Sequence, residues 1–491
     1  MQSIKRSLAI LNGQTPHSRA KGTGMTETPD MLQTAASPDI ILPPPRHTEL
    51  GIMRSVEVQA ASALPEQADA VIIGAGICGV LTACNLAKQG KKIVVLEKGE
   101  IACESSSKAF GWVSQLLNSV HKVKLTRRSK SLWRELQQEI GDLGYREQSI
   151  SYFAESAEEF AFYQEWLASV QPEADTDIQI LAADQVGQLA PEFTGQCYGA
   201  ITAPSDGCIE PVLTTAAVAE YAKRLGVVFV THCAARGLDI QNRQVKGVFT
   251  EKGYIRTSQA VSAVNTWTRI FCAHHGIDVP QLYVVMSMGR VEDFQGGPAG
   301  CGGKGAFAWR KQVDGGYSLG LVTGMSAPIS RDALRLFNKF LPIQKMLGGS
   351  KGVKINFGQN TLNDWKIKRS WNHHHSSPFE AHRVFTGTVD LSAAESSKQQ
   401  MAAYFPELKN QPIAEHWCGT VAFTQDNAPI ASAVQDIEGF YVLMASGYGF
   451  SWGPALAEML SGMMLGLPEH PDADTFRLSR FSDGTVLEPQ L

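Results

Sequence analysis

The sequence predicts an α/β chain built on a parallel βαβ unit, with a second, α+β part interleaved with it. Three observations predict this. A short apolar run, Ala70-Val71-Ile72-Ile73, breaks at Gly74-Ala75-Gly76. Beyond the break Ile77, Val80, Cys84 and Ala87 recur at helical spacing until Gly90 closes the pattern. A second apolar run, Lys92 to Leu96, then ends at Glu97. Each run is apolar throughout, as expected of a strand covered on both faces.

The other elements follow in chain order. Residues 1–64 are rich in Ser, Thr, Pro and Gly, include Pro43-Pro44-Pro45, show no sustained period, and read as a flexible leader in which Met25 is an alternative start. Val120 to Ile140 carries many charges and a Leu125, Leu132, Leu136 stripe, which predicts a surface helix. Residues 146–199 read as mixed structure. From Asp206 to Phe271 a helix (Leu213 to Leu225) leads through Gly226 into a strand at Val227 to Val230, with further strands near 245–250 and 260–264 and turns at Asn242 and Gly253. Ala333 to Leu347 is amphipathic and reads as a helix covering the active site, or as an element docking on lipid, with an interruption at Pro342. The last block has a strand at Phe440 to Met444, a glycine loop, and an apolar helix starting near Gly453 and running through Met464. These elements divide the chain into a discontinuous nucleotide-binding domain (65–145, 200–272 and 415–480) and a substrate domain (146–199 and 273–414).

Composition narrows the function. At 491 residues the chain exceeds what one core organises, and 44% hydrophobic residues, 19% charged residues and 45 glycines fit a globular enzyme. A net charge of −4 offers no positive excess to a phosphate backbone, so nucleic acid is not expected as a partner. Nine dispersed cysteines without a CxxC pair suggest reduced thiols and a cytoplasmic protein. No apolar run approaches the roughly 18 to 20 residues of a spanning helix, and nothing at the start resembles an export signal. His373-His374-His375 lacks the spacing and the carboxylate of a metal site, so it reads as a polar loop and no metal is expected.

Gly74-Ala75-Gly76-Ile77-Cys78-Gly79 matches GxGxxG between strand and helix. The glycines serve a tight turn, close approach of backbone to a diphosphate, and helix-to-strand packing. The free N–H groups and positive dipole end of the helix then face the phosphates. Glu97 stands where a carboxylate accepts hydrogen bonds from ribose hydroxyls and repels a 2′-phosphate. That disfavours NADP and leaves FAD or NAD.

Three further segments choose between them. Glu104-Ser105-Ser106-Ser107-Lys108-Ala109-Phe110-Gly111, then Trp417-Cys418-Gly419 with Asp426-Asn427-Ala428-Pro429-Ile430, then Gly447-Tyr448-Gly449-Phe450-Ser451-Trp452-Gly453 together resemble the D-amino acid oxidase-like flavoprotein superfamily. The resemblance implies a Rossmann-like FAD-binding domain of the glutathione-reductase/D-amino acid oxidase type, with FAD held non-covalently. It places Lys98, Ser105, Ser106, Ser107, Lys108 and Ala109 near the cofactor, and the Gly447 to Trp452 loop beneath the flavin ring, where a helix N-terminus stabilises negative charge on the reduced ring.

Among subfamilies the sequence is most similar to the bacterial membrane-associated L-amino acid deaminases, through Leu64 to Asp69, Leu96-Glu97-Lys98-Gly99, Thr257-Ser258-Gln259, Ser370-Trp371-Asn372 and Pro378-Phe379-Glu380. This resemblance implies hydride transfer from a substrate carbon to flavin N5 and hydrolysis of the resulting imine. It makes Tyr448 the aromatic residue facing flavin and substrate. The sequence departs from those deaminases where an arginine grips the substrate carboxylate, since Val322 stands there, and where a glutamine pair is replaced by Met288-Gly289. Arg290 and Arg310 are the candidate substitutes. The leading membrane helix of those deaminases is not found, so any peripheral contact with an inner membrane would use another element. The expected function is oxidation of a small amine or amino acid, with electrons passing to oxygen or a respiratory carrier. Alternatives are a secondary-amine oxidoreductase, of N-substituted or opine type, and a non-catalytic FAD subunit of a larger complex.

Overall fold

The computed structural model describes residues 46–47, 54–55, 58–321, 324–346, 353–385 and 387–489. Most of the expected leader, Met25 included, and the Val322 position therefore lie outside the described residues.

The predicted βαβ unit is present as strand Ala70–Ile73, helix Ile77–Lys88 and strand Ile93–Leu96, with the strands parallel and Ala70 opposite Ile93. Every residue of both strands is buried. Alternate side chains serve opposite faces: Ala70, Ile72, Ile93 and Val95 join one core, and Val71, Ile73, Val94 and Leu96 the other. The sheet runs in the order Val228–Val230, Ile93–Leu96, Ala70–Ile73, Ala260–Ser262, Phe440–Met444, Ile430–Ala433, parallel but for the last. Growth of the sheet changes direction at Ala70–Ile73, so the crevice beyond the carboxyl ends of that strand and Ala260–Ser262 is where a doubly wound sheet binds its ligand.

Helices Ile77–Lys88, Pro211–Arg224, Val120–Ile140 and Gly449–Met464 pack together on one face. The other face carries a three-stranded antiparallel sheet, Ala235–Gln241, Gln244–Thr250 and Gly253–Arg256. Its first turn is Asn242-Arg243, both at positive φ, the geometry of a two-residue hairpin. A further, ten-stranded sheet is built largely from the segments expected to form the substrate domain, with strand Ile413–Thr424 added. Its Gln281–Val291 strand pairs with Ile413–Thr424 from Gln281 opposite Thr424 onward, which brings the chain back to the first sheet.

Two helices depart from expectation. The C-terminal helix starts at Gly449, not near Gly453, and contains Pro454. Pro454 has no N–H for the Phe450 carbonyl, which accepts the indole N–H of Trp133 at 2.9 Å instead. Residues 331–346 form two helices, Arg331–Arg335 and Phe337–Met346, that break at Leu336, with Pro342 inside the second. The residue four before Pro342 is Asn338, on the exposed side, where an unpaired carbonyl is tolerated.

Candidate active site and cofactor cleft

The cleft is built first from glycines. A Cβ on Gly79 would stand 2.1 Å from the Gly74 carbonyl oxygen, and one on Gly74, at φ +104°, would stand 2.6 Å from that of Ala263. Only hydrogen allows the Ile77–Lys88 helix to meet the strand end so closely. Its first turn has no acidic residue and no side-chain cap from Gly76. The Ile77 N–H donates to Ser106 Oγ at 3.0 Å.

Glu97 fixes the neighbouring turn. Its Oε2 accepts from the Ala75 N–H at 2.9 Å and its Oε1 from the Gly99 N–H at 2.8 Å. Burial pushes the carboxyl up, opposed by the charge of Lys98 and by these two donors. Each oxygen keeps a second lone pair for a ribose hydroxyl.

A second helix N-terminus lies beside the first. A Cβ on Gly449 would meet Ile77 Cγ2 at 3.2 Å, and one on Gly453 would meet Cys78 Sγ at 3.2 Å. Gly447 has no room either, with Val421 Cγ1 at 2.5 Å. Neither helix carries an acid in its first turn, so two positive dipole ends converge unopposed. Between strand ends and helix lies an open cleft of about 700 Å³, lined by Gly74, Gly76, Glu97, Ser105, Ser106 and Asn265 among others. Asn265 is held at φ +40°, and its buried Oδ1 has no hydrogen-bond partner among the described residues. Ser446, at φ +53° before the glycine loop, likewise has a buried hydroxyl without one. Amides for a diphosphate, an acid for ribose and unmatched polar atoms along the cleft fit FAD.

The structure brings Gly74, Gly76, Glu97, Lys98, Ser105 and Ser106 together in this cleft. Lys98 turns its ammonium to Glu104 Oε1 (2.8 Å) and to the carbonyls of His382 (2.8 Å) and Arg383 (2.9 Å), and lies over the Trp267 ring. It ties the cleft to the substrate part. Cys78 directs its thiol toward Gly453, away from the phosphate side, and burial pushes it up to about 12. Ser107, Lys108 and Ala109 stand beyond this lining. Ser107 Oγ donates to the Glu104 carbonyl at 3.3 Å, buried Lys108 reaches the Phe385 carbonyl at 3.5 Å, and Ala109 packs on the helical core. Lys108 also gives its carbonyl to Trp417 Nε1 at 3.2 Å, while Gly419 leaves room for its backbone. In the glycine loop, Ser451 Oγ donates to the Trp112 carbonyl and accepts from the Ser114 N–H, both at 3.2 Å, and the Phe450 ring packs beside Trp133.

Tyr448 stacks on fully buried Trp452, ring centroids 4.2 Å apart. Tyr448 itself is 40% exposed, and burial of its hydroxyl pushes the phenol up. Near it is an aromatic cluster that sequence reasoning missed. Phe110 meets Trp112 edge-on at 5.1 Å, and Trp112 meets Tyr152 edge-on at 5.7 Å. Burial and the neighbouring Tyr448 phenol raise the Tyr152 hydroxyl. Gly320 leaves space where a Cβ would touch Phe110 at 3.3 Å and Met288 at 3.7 Å, whereas Gly289 points to the other side, against Ala394.

Both candidate arginines are engaged elsewhere. Arg290 donates to Gln312 Oε1 (2.7 Å), Glu292 Oε1 (2.5 Å) and Asp314 Oδ2 (2.8 Å). Arg310 pairs with Glu210 Oε1 at 2.9 Å and donates to Ser318 Oγ at 3.4 Å. Neither lines the nucleotide cleft, and Arg310 keeps a buried Nε without a hydrogen-bond partner among the described residues, 3.0 Å from where a Cβ on Gly111 would stand. The expected polar loop at His373-His374-His375 is a turn with His374 and His375 exposed, while half-buried His373 places its Nε2 2.8 Å from His274 Nε2 and stacks on Phe249.

Similarity to known proteins agrees with this geometry. An L-amino acid deaminase structure from Proteus myxofaciens, in complex with anthranilate, superposes with a TM-score of 0.83 at 32% identity, covering 88% of this chain and 97% of that one. Human mitochondrial sarcosine dehydrogenase is 26% identical over 489 residues, 95% of this chain and 45% of that protein. Rat mitochondrial dimethylglycine dehydrogenase is 24% identical over 409 residues, 82% of this chain and 43% of that protein. The chain thus spans less than half the length of these two relatives. The DAO family, described as FAD dependent oxidoreductase, matches residues 69–314 and 352–463, and the chain belongs to that family.

Proposed function

We propose that this chain oxidises the C–N bond of a small amine or amino acid, and that a secondary or N-methylated nitrogen is the best fit. The observation that carries the reading is the aromatic cluster of Phe110, Trp112 and Tyr152 near Tyr448. Aromatic faces receive a substituted ammonium through cation–π attraction without needing a counter-ion. Sarcosine and dimethylglycine, named for two relatives, carry such nitrogens.

The flavin, when bound, supplies the acceptor for the hydride that leaves the substrate carbon. The residues do the rest by placement. Tyr448 and the aromatic cluster receive the ammonium and set the C–H bond toward the ring, and the nitrogen gives its proton to water before that bond breaks, which frees its electron pair. The nitrogen's electron pair then forms an iminium, which water hydrolyses to a carbonyl product and a protonated amine.

For the electron acceptor, a carrier at an anionic lipid surface is supported by Leu334, Phe337, Ile355, Phe357, Leu362 and Trp365, all exposed within residues 331–366. Lys339, Lys345, Lys354 and Lys366 are exposed among them, which suits a negative surface. Anaerobic mixing of the yellow protein with primary amino acids, N-methyl amino acids and N-methyl amines tests the main reading. Bleaching fastest with an N-methyl compound supports it, whereas no bleaching by any compound points to the accessory-subunit alternative. Sedimentation with and without anionic vesicles tests the surface, and loss of binding in Phe357→Ser is expected.

A further inference from the structure

The nine cysteines are free thiols, but two of them are in contact: Cys208 Sγ and Cys301 Sγ lie 2.7 Å apart and both residues are buried. They join separate parts of the fold. Cys208 belongs to the central strand of a small sheet, paired with Trp112 and beside Arg146–Glu147, while Cys301 opens a strand of the ten-stranded sheet opposite Ile150. Two sulfurs at this separation are already inside non-bonded contact, and a small rotation at each Cβ brings them to bonding distance. The Arg310 and Arg146 guanidiniums both act on the pair. Burial opposes ionisation of Cys301, but the hydrogen bond from Cys208 and the Arg310 charge hold its thiol below the ordinary range, while burial and the shared bond push Cys208 up. Gln148 Oε1, 3.7 Å from Cys301 Sγ, links the pair to a half-buried rim.

We propose that Cys208 and Cys301 form a peroxide-responsive disulfide that staples the Gly207–Cys208 strand, the partner of Trp112, to the ten-stranded sheet. The Cys301 thiolate attacks one peroxide oxygen, the O–O bond breaks, and a sulfenic acid forms as the first water leaves. The Cys208 sulfur then attacks that sulfur, the S–S bond forms, the S–O bond breaks, and a second water leaves. Two thiols lose two electrons and two protons, which reduce one hydrogen peroxide to water. The chemistry is independent of the amine substrate. Cysteines elsewhere lack such a partner among the described residues: Cys78 and Cys272, for example, are simply buried and pushed up.

The test treats the intact flavoprotein with dilute hydrogen peroxide, alkylates under denaturing conditions and maps non-reduced peptides by mass. The expected result is one linked peptide pair containing Cys208 and Cys301, a mass two hydrogens lower, two fewer titratable thiols than nine, and a thermal midpoint higher by roughly 5 °C, reversed by dithiothreitol. Cys208→Ala should lose the link and the thermal response; should that variant not fold, the wild-type map decides alone. Nine alkylated thiols after treatment, or a link between any other pair, overturns the proposal.

Discussion

Replacing Glu97 by Gln tests the cofactor cradle at its most specific contact. The carboxylate accepts two backbone N–H groups, at 2.9 and 2.8 Å, with different oxygens. An amide presents oxygen to one of them and NH₂ to the other, so one bond becomes a contact between two donors. A hydrogen bond to a charged group contributes about 1.5–3 kcal/mol. Losing one here loosens the turn that carries the helix amides, and it also removes the charge that grips ribose. At about 1.4 kcal/mol per factor of ten, FAD should bind roughly 10- to 100-fold more weakly. Apoprotein titrated with FAD, followed by quenching of flavin fluorescence, gives the number. The thermal midpoint of the apoprotein, measured in parallel, shows whether the fold has suffered. Unchanged FAD affinity in a folded Glu97→Gln protein would refute the assignment of Glu97 to the ribose.

Four other outcomes follow from the same geometry. Gly79→Ala puts a methyl 2.1 Å from the Gly74 oxygen; helix and strand must part by about 1 Å, costing about 1–3 kcal/mol or more, and FAD affinity should fall at least tenfold by the same titration. Tyr448→Phe keeps the stack on Trp452 but loses the hydroxyl, so KM should rise by roughly tenfold with an unaltered thermal midpoint. Arg310→Met removes one of the partners of Glu210, which keeps Arg146 and the Val313 N–H, and should cost about 1.5–3 kcal/mol in denaturant unfolding, whereas Arg290→Met, whose acidic partners are more than half exposed, should cost about 1 kcal/mol or less; a tenfold KM increase in either would restore a carboxylate-gripping role. Burial and then neighbouring histidines lower His274 to about 4 and His275 to about 3. The unfolded chain therefore binds these protons more readily, so stability is complete above about pH 6.5 and falls as the pH drops toward 4; His275→Gln should flatten that part of the thermal-midpoint profile.

The parts of the fold legible in the sequence are those written locally. Ala70–Ile73 and Ile93–Leu96 are apolar on both faces, and Val120–Ile140 and Phe440–Met444 carry their periods without interruption, so their limits agree with the structure. The helix starting at Gly449 was placed four residues late because Pro454 reads as a first-turn residue; its tolerance depends on Trp133, more than 300 residues away. Strands Ala235–Gln241 and Gly253–Arg256 escaped notice because their burial alternates irregularly against the core. The site divides the same way. GxGxxG and Glu97 are recognisable because backbone sterics and strand length fix their positions relative to one another. The aromatic cluster is not, since Phe110 comes from a loop, Trp112 from a two-residue strand, Tyr152 from the large sheet and Tyr448 from the turn before the Gly449–Met464 helix. Nor did the sequence reveal that Arg290 and Arg310 are held by Asp314 and Glu210, one by a hairpin neighbour and the other by a distant segment. Asn265 had a weak signal: an Asn just after a buried strand tolerates the positive φ that a ligand-lined turn requires.

The most direct measurement is the amount of FAD released per chain when the purified protein is denatured, with its absorbance spectrum beforehand. Close to one FAD per chain, set free without proteolysis, is the predicted result. A colourless protein that stays colourless and leaves flavin fluorescence unchanged during FAD titration would contradict the whole reading of the cleft.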